Sequence, residues 1–224
     1  MTNDAATTEP LSMRRDEDLV LEYAKTGDQM AFKEIVHRSE REIYSYLRNY
    51  LGDAHLAEDA FQATFLQLHL KCRQFEPGRR LRPWLYAIAT NQATDLLRRN
   101  RRHKAASLNS ETGYVGSRDE RQSLGGLLET TEAGPSERLQ LADDSCIIRS
   151  ALDGLPVPLR QMLDLVAYQG LKYREAASVL GIPLGTVKSR MNKALRSLRE
   201  ALITTGYAAS NEISGPLLLG KIHP

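Results

Sequence analysis

The 224-residue chain has little cysteine, few aromatics, no strong excess of either charge and no long apolar run. Cys72 and Cys146 lie far apart without a pairing pattern. That excludes a disulfide-stapled scaffold and fits a reducing compartment. His37, His55, His69, His103 and His223 are scattered, and His69 with Cys72 is the only pair near metal spacing. Zinc generally takes three or four protein ligands, so no metal site is expected. There is no glycine loop followed by Lys and Ser or Thr to cradle phosphates, and no catalytic constellation, so the expectation is a non-enzyme without cofactor. The N-terminal stretch MTNDAATTEPLSMRRDEDL has no apolar h-region, and no run approaches the roughly 18 apolar residues that span a bilayer. A cytoplasmic protein without membrane insertion follows as the expectation.

What is present is the composition of a packed globular protein: 42% apolar and 26% charged residues, with 9 Pro and 15 Gly. The net charge of +2 does not by itself point to nucleic acid, so any such argument rests on how charge is distributed. Strand-like alternation is absent. Four helical segments are expected after Asp16. The second carries Phe32, Ile35, Val36, Ile43, Leu47 and Leu51 at helical spacing, with Asp28 placed to cap it and Gly52–Asp53 to break it. A third is expected from Ala54 to Cys72, and a fourth from Pro83, a residue suited to a first helical turn. The fold class is therefore all-α, with two small helical domains joined by a flexible linker. The expected division is a mobile arm at 1–15, a helical domain at 16–104, a flexible acidic linker at 105–145, a helix-turn-helix domain at 146–203 and a tail at 204–224.

The segment YREAASVLGIPLGTVKSRMNKALRSLREAL, residues 173–202, is the most informative. A short helix with Ala176, Ala177 and Leu180 on one face ends at Gly181, and Ile182–Pro183 turns the chain into a second helix. There Val187, Met191, Ala194, Leu198 and Leu202 form one apolar stripe. The opposite face carries Gly185, Ser189, Asn192, Lys193 and Arg196, flanked by Lys188 and Arg199. Side chains of this kind read base edges in the major groove and neutralise phosphates. With Thr186, the residues Gly185, Lys188, Ser189, Asn192, Lys193 and Arg196 are the candidates for duplex DNA.

The N-terminal half offers two different surfaces. The fourth helix has an apolar side made of Trp84, Leu85, Ile88, Ala89 and Leu96. Arg79, Arg80, Arg82, Trp84, Tyr86, Asn91, Asp95, Arg98 and Arg99 are the candidates there for unpaired DNA, which calls for a cationic track with groups that stack on or pocket bases. Trp84 fits a core position as well as a stacking one. The third helix carries Glu58, Asp59, Gln62, Phe65 and Leu66. Its acidic and amide positions repel DNA, and the interleaved aromatics suit a protein partner or an ordinary core.

Three stretches in order, AEDAFQATFLQL, FEPGRRLRPWLYAIATNQATDLLRR and residues 173–202, resemble the extracytoplasmic-function group of bacterial sigma factors. The resemblance implies two helical domains and, as partners, core RNA polymerase and promoter DNA, and it leaves room for an anti-sigma protein. It implies that the stretch with Asp59, Gln62 and Phe65 meets the clamp of the polymerase's largest subunit. Residues 75–99 would open the duplex and hold an unpaired base, and Lys188, Ser189, Asn192 and Lys193 would read the upstream promoter element. Ala63 stands where an acid is common in the family, and Leu81 where an aromatic is frequent. The rival reading is a helix-turn-helix activator that binds duplex operator DNA, usually as a dimer, without polymerase.

Overall fold

A computed structural model describes residues 10–108 and 147–205, the side chains of 103–108 excepted. The chain divides into two compact units, Met1–Arg121 and Gln122–Pro224. Among the described residues there is no strand. The acidic linker beyond Leu108, the tail beyond Thr205, residues 1–9 and Cys146 lie outside the described residues.

In the first unit, α1 (Asp16–Thr26) opens with Asp16, Glu17 and Asp18, acids that favour the positive end of a helix dipole. It ends at Gly27, whose φ of 74° a side chain would resist. The next residue caps α2 (Gln29–Leu51): the Asp28 carboxylate accepts the Met30 N–H at 2.9 Å. The same device recurs at Gly52, with φ of 70°, and Asp53, which accepts the Leu56 N–H at 2.9 Å to open α3 (Ala54–Lys71). Two Gly-Asp steps thus stop one helix and start another. A short 3-10 turn, Cys72–Gln74, and a loop lead to α4 (Leu81–Leu108).

The fourth helix begins two residues before the expected Pro83. The cause is a cap from a distant element: the Glu17 carboxylate accepts the Leu81 N–H at 3.0 Å. The helix also runs past Lys104 to Leu108, so the expected boundary at 104 falls within it. A second correction concerns the arm. Residues 10–15 are held rather than loose, with a 3-10 turn at Leu11–Met13. The Arg38 guanidinium donates to the carbonyls of Leu11 (2.6 Å) and Arg14 (2.8 Å) and pairs with Asp16 and Glu34. Burial would lower the Arg38 pKa, and the hydrogen bonds that it donates to Glu34 and Asp16, with the charges of those carboxylates, outweigh that and raise it.

The core of this unit takes Leu19, Val20 and Tyr23 from α1, Ile35, Ile43, Tyr46 and Leu47 from α2, Leu68 from α3, and Leu85 and Ile88 from α4. Ala57 and Ala60 on α3 and Ala89 and Ala93 on α4 are fully buried, and these two helices lie against each other. Small side chains let their axes approach. Between α2 and α4 two hydroxyl pairs sit one turn apart: Tyr46 to Thr90 at 2.7 Å and Tyr50 to Thr94 at 2.9 Å.

In the second unit a helical segment at 147–153, called α5, precedes α6 (Val157–Leu163), which runs into a π-turn over Asp164–Tyr168. The Gln169 N–H reaches the Asp164 carbonyl there at 2.9 Å, and burial, reinforced by Asp164, pushes the Tyr168 phenol up to about 12. Then come α7 (Tyr173–Leu180) and α8 (Leu184–Thr204). The Glu175 carboxylate accepts the Lys172 N–H at 2.8 Å and so fixes the start of α7. Gly181, with φ of 62°, ends it, and Pro183 caps α8.

Candidate nucleic-acid and protein interfaces

The first surface is α8. Val187, Met191, Ala194, Leu198 and Leu202 are all at most 1% exposed and pack on Leu155, Leu159, Met162 and Leu163. This fixes the rotation of the helix. Gly185, Lys188, Ser189, Asn192, Lys193, Arg196 and Arg199 are exposed as a result, and Thr186 is half-buried. Residues 184–199 contain no Asp or Glu, so nothing on this helix neutralises its cations before Glu200. The Ser189 hydroxyl donates to the Thr186 carbonyl at 3.0 Å and keeps its lone pairs as acceptors. Sequence reasoning missed Lys172, Tyr173 and Arg174, which are exposed at the start of α7. In a helix-turn-helix the first helix crosses the DNA backbone, which is where cations at that end would serve. The short YRE run was readable only as the opening of a helix. It predicted no face.

The second surface is the 75–80 loop with α4. Arg79, Arg80, Arg82, Asn91, Asp95, Arg98 and Arg99 are exposed, and Arg101 and Arg102 continue the cationic side. Gly78, at φ of 85°, turns the loop, and the Arg79 N–H closes it on the Glu76 carbonyl at 3.2 Å. Arg82 pairs with Glu42 of α2. The aromatic candidates behave differently from the expectation. Tyr86 is 1% exposed, edge-on to Tyr46 at 5.1 Å, so it is a core residue and cannot stack on a base. Trp84 is buried against Phe75, ring centroids 5.2 Å apart, which is the core alternative. Leu81 is buried too. What α4 offers to a ligand is guanidinium, amide and carboxylate chemistry.

The third surface is α3. Glu58, Asp59, Gln62 and Leu66 are exposed in one band. Phe65 is not part of it: it is buried and edge-on to Phe61 at 4.9 Å, which in turn meets Tyr44 at 5.9 Å. Phe65 therefore holds α3 in place and does not reach a partner. Leu70, one turn beyond Leu66, was missed, and the two leucines are 61% and 57% exposed. The two leucines thus lie exposed on the same side of α3 as Asp59 and Gln62. The signal lay in the i, i+4 spacing of Leu66 and Leu70, which reads equally as core.

His69 and Cys72 do not form a ligand pair. His69 Nδ1 is 2.5 Å from the Tyr23 hydroxyl, and the Cys72 thiol donates to the His69 carbonyl at 3.1 Å. Among the described residues no group of three His, Cys, Asp or Glu side chains could hold a metal ion. No described helix is long and apolar enough to cross a membrane.

The Sigma-70 region 2 model matches residues 35–103, and the Sigma-70 region 4 model matches residues 147–198. The ECF RNA polymerase sigma factor SigE of Mycolicibacterium smegmatis is 31% identical over 183 residues, covering 79% of this chain and 65% of that protein. The RNA polymerase sigma factor CarQ of Myxococcus xanthus is 30% identical over 182 residues, covering 81% of this chain and 95% of that protein. Among solved structures, the sigma factor RpoE in complex with the anti-sigma factor NepR from Bartonella quintana is similar with a TM-score of 0.56 at 25% identity, over 76% of this chain and 96% of that one. Two helical units that match regions 2 and 4 in order, together with relatives at this identity over most of the chain, place the protein in a family: it belongs to the extracytoplasmic-function group of RNA polymerase sigma factors.

Proposed function

We propose that this chain binds core RNA polymerase through α3, holds melted promoter DNA with the 75–80 loop and α4, and reads the upstream promoter element with α8. The observation that carries the reading is the α8 helix: five buried apolar residues lock it, and from Lys188 to Arg199 its exposed side chains are hydroxyl, amide and cation, with no carboxylate among them. Such a face suits base edges and phosphates together. On α3 the contact residues are Glu58, Asp59, Gln62 and Leu66, extended by Leu70. On α4 and its loop they are Arg79, Arg80, Arg82, Asn91, Asp95, Arg98 and Arg99, and on α8 Gly185, Thr186, Lys188, Ser189, Asn192, Lys193 and Arg196.

The factor is not an enzyme. Strand opening draws its free energy from binding unpaired DNA and polymerase together, so no bond-making group is required. It works in the cytoplasm, where polymerase meets the chromosome. The boundaries that fit this division of labour are a polymerase-binding and melting unit up to the end of α4 and a duplex-reading unit from 146 to 203. An anti-sigma protein is a further partner under the same reading, supported by the complex in which the solved RpoE relative is found.

The test is transcription in vitro from a pool of promoter fragments with core polymerase. Wild-type protein is expected to create new start sites, and the Asp59→Ala, Gln62→Ala double variant to lose them while keeping its fold. Tight duplex binding without any transcription would return the helix-turn-helix activator to first place.

A further inference from the structure

We infer that Glu42 is a built-in competitor for DNA: its carboxylate occupies Arg82 where a DNA phosphate would sit, and it must be displaced when melted DNA engages the start of α4. The inference rests on the reading of Arg82 as a DNA contact.

The start of α4 offers two groups suited to an anion, and the chain's own acids take both. One is the Leu81 N–H, a backbone donor at a helix N-terminus, which Glu17 accepts at 3.0 Å. The other is the Arg82 guanidinium, which donates to Glu42. The two acids are not equivalent. Glu17 is half-buried and defines where the helix begins. The Glu42–Arg82 pair is open, with 45% and 43% of the two side chains exposed, so solvent and a phosphate reach it from outside.

The pair spans 40 residues and joins α2 to α4, so it is not an intrahelical pair that supports either helix. An exposed pair of this kind adds little to stability. Its effect falls on the ligand. Binding to nucleic acid without sequence preference is driven by counterions released when cations neutralise phosphates. An arginine already neutralised by a carboxylate has fewer counterions to release, and its pair must break first. Arg79 and Arg80, in the loop just before Arg82, are exposed as well, so without Glu42 the start of α4 would attract polyanions more generally. With Glu42 in place the free factor is spared from non-productive DNA. The penalty is overcome once polymerase contributes the remaining contacts.

The experiment uses the full chain and a fluorescein-labelled, mixed-sequence single-stranded DNA of about 20 nucleotides, with anisotropy read from about 50 mM salt upward so that the electrostatic part is measurable. Glu42→Gln is expected to bind about twofold to fivefold more tightly, the scale set by one exposed ion pair. Its salt dependence should steepen by up to about 0.7 in the log–log slope, one additional phosphate neutralised on a single strand. Arg82→Gln should bind more weakly than wild type, and adding Glu42→Gln to it should change nothing further. Glu40→Gln makes the same charge change on another side of α2 and serves as the control. If Glu42→Gln binds as wild type or more weakly, Glu42 does not compete. If its gain persists in the Arg82→Gln background or is matched by Glu40→Gln, the effect is a general field, and the inference is overturned. If Arg82→Gln itself leaves binding unchanged, the DNA role of Arg82 fails instead, an outcome distinct from the others.

Discussion

The helices α4 and α8 both turn cations outward, yet they are oriented by opposite means. The rotation of α8 is set by its own sequence: five apolar residues at helical spacing are buried, and everything opposite them faces out. The start of α4 is set by groups far away in the chain. Glu17 caps it, Glu42 holds its first arginine, and the hydroxyls of Tyr46 and Tyr50 meet Thr90 and Thr94. Residues 184–199 of α8 carry no acid among their cations, whereas α4 carries Asp95 among its own and borrows two more carboxylates from α1 and α2. A preformed duplex is available to α8 at any time. Melted DNA exists only with polymerase present, and a surface for it gains from being held in check until then.

If α8 is locked by its own stripe, removing one member should cost it the most. Met191→Ala is expected to destabilise the second unit by about 2–5 kcal/mol, the range for a buried large-to-small change. Urea unfolding should then show a separate, earlier transition for this unit while the first unit is unmoved. A variant that unfolds with wild-type stability would remove Met191 from the stripe that locks α8. Next in size is an effect on affinity without one on stability. Lys188→Ala with Lys193→Ala removes two exposed cations, so duplex binding should weaken and its salt slope should flatten by about 1.8, the contribution of two phosphate contacts. Wild-type slopes measured on the variant would remove these lysines from the DNA interface.

The same contrast explains what could be read in advance. The α8 stripe, the Gly181 stop and both Gly-Asp junctions rest on interactions within a few residues, and each is where the local pattern puts it. In α2, by contrast, Tyr46 is buried and Phe32, Val36 and Leu51 are only half-buried. Tyr46 shares the helical period of Ile35 and Ile43, but the Thr90 hydroxyl that its phenol meets lies forty-four residues on and has no local signature. The roles expected of Tyr86 and Phe65 went wrong for a related reason. An aromatic at helical spacing carries the same signal whether it faces the core or a ligand, and only Tyr46 and Phe61 packing against them decides which. The docked segment at 10–15 was hidden because its apolar content is low. It is held through its carbonyls by Arg38, and backbone groups have no sequence signature.

The smallest expected effect tests the tertiary side of the comparison most directly. Glu17→Ala removes the carboxylate that accepts the Leu81 N–H, and α4 should then begin near Pro83, the start its own sequence favours. Loss of a side-chain cap costs about 1 kcal/mol, so the first unit should melt slightly earlier. Hydrogen exchange reads the local change, because Leu81 and Arg82 carry amide protons and Pro83 does not. Their exchange should quicken while amides in α8 keep theirs. Glu17 also stands in the first turn of α1, where its charge favours the helix dipole, so Glu17→Gln is the companion variant. It drops the charge and keeps an acceptor for Leu81. If Gln restores protection at Leu81 and Arg82, the hydrogen bond sets the start of α4. If Ala and Gln behave alike, the charge does, and α4 depends on the N-terminal helix through its field rather than through that one contact.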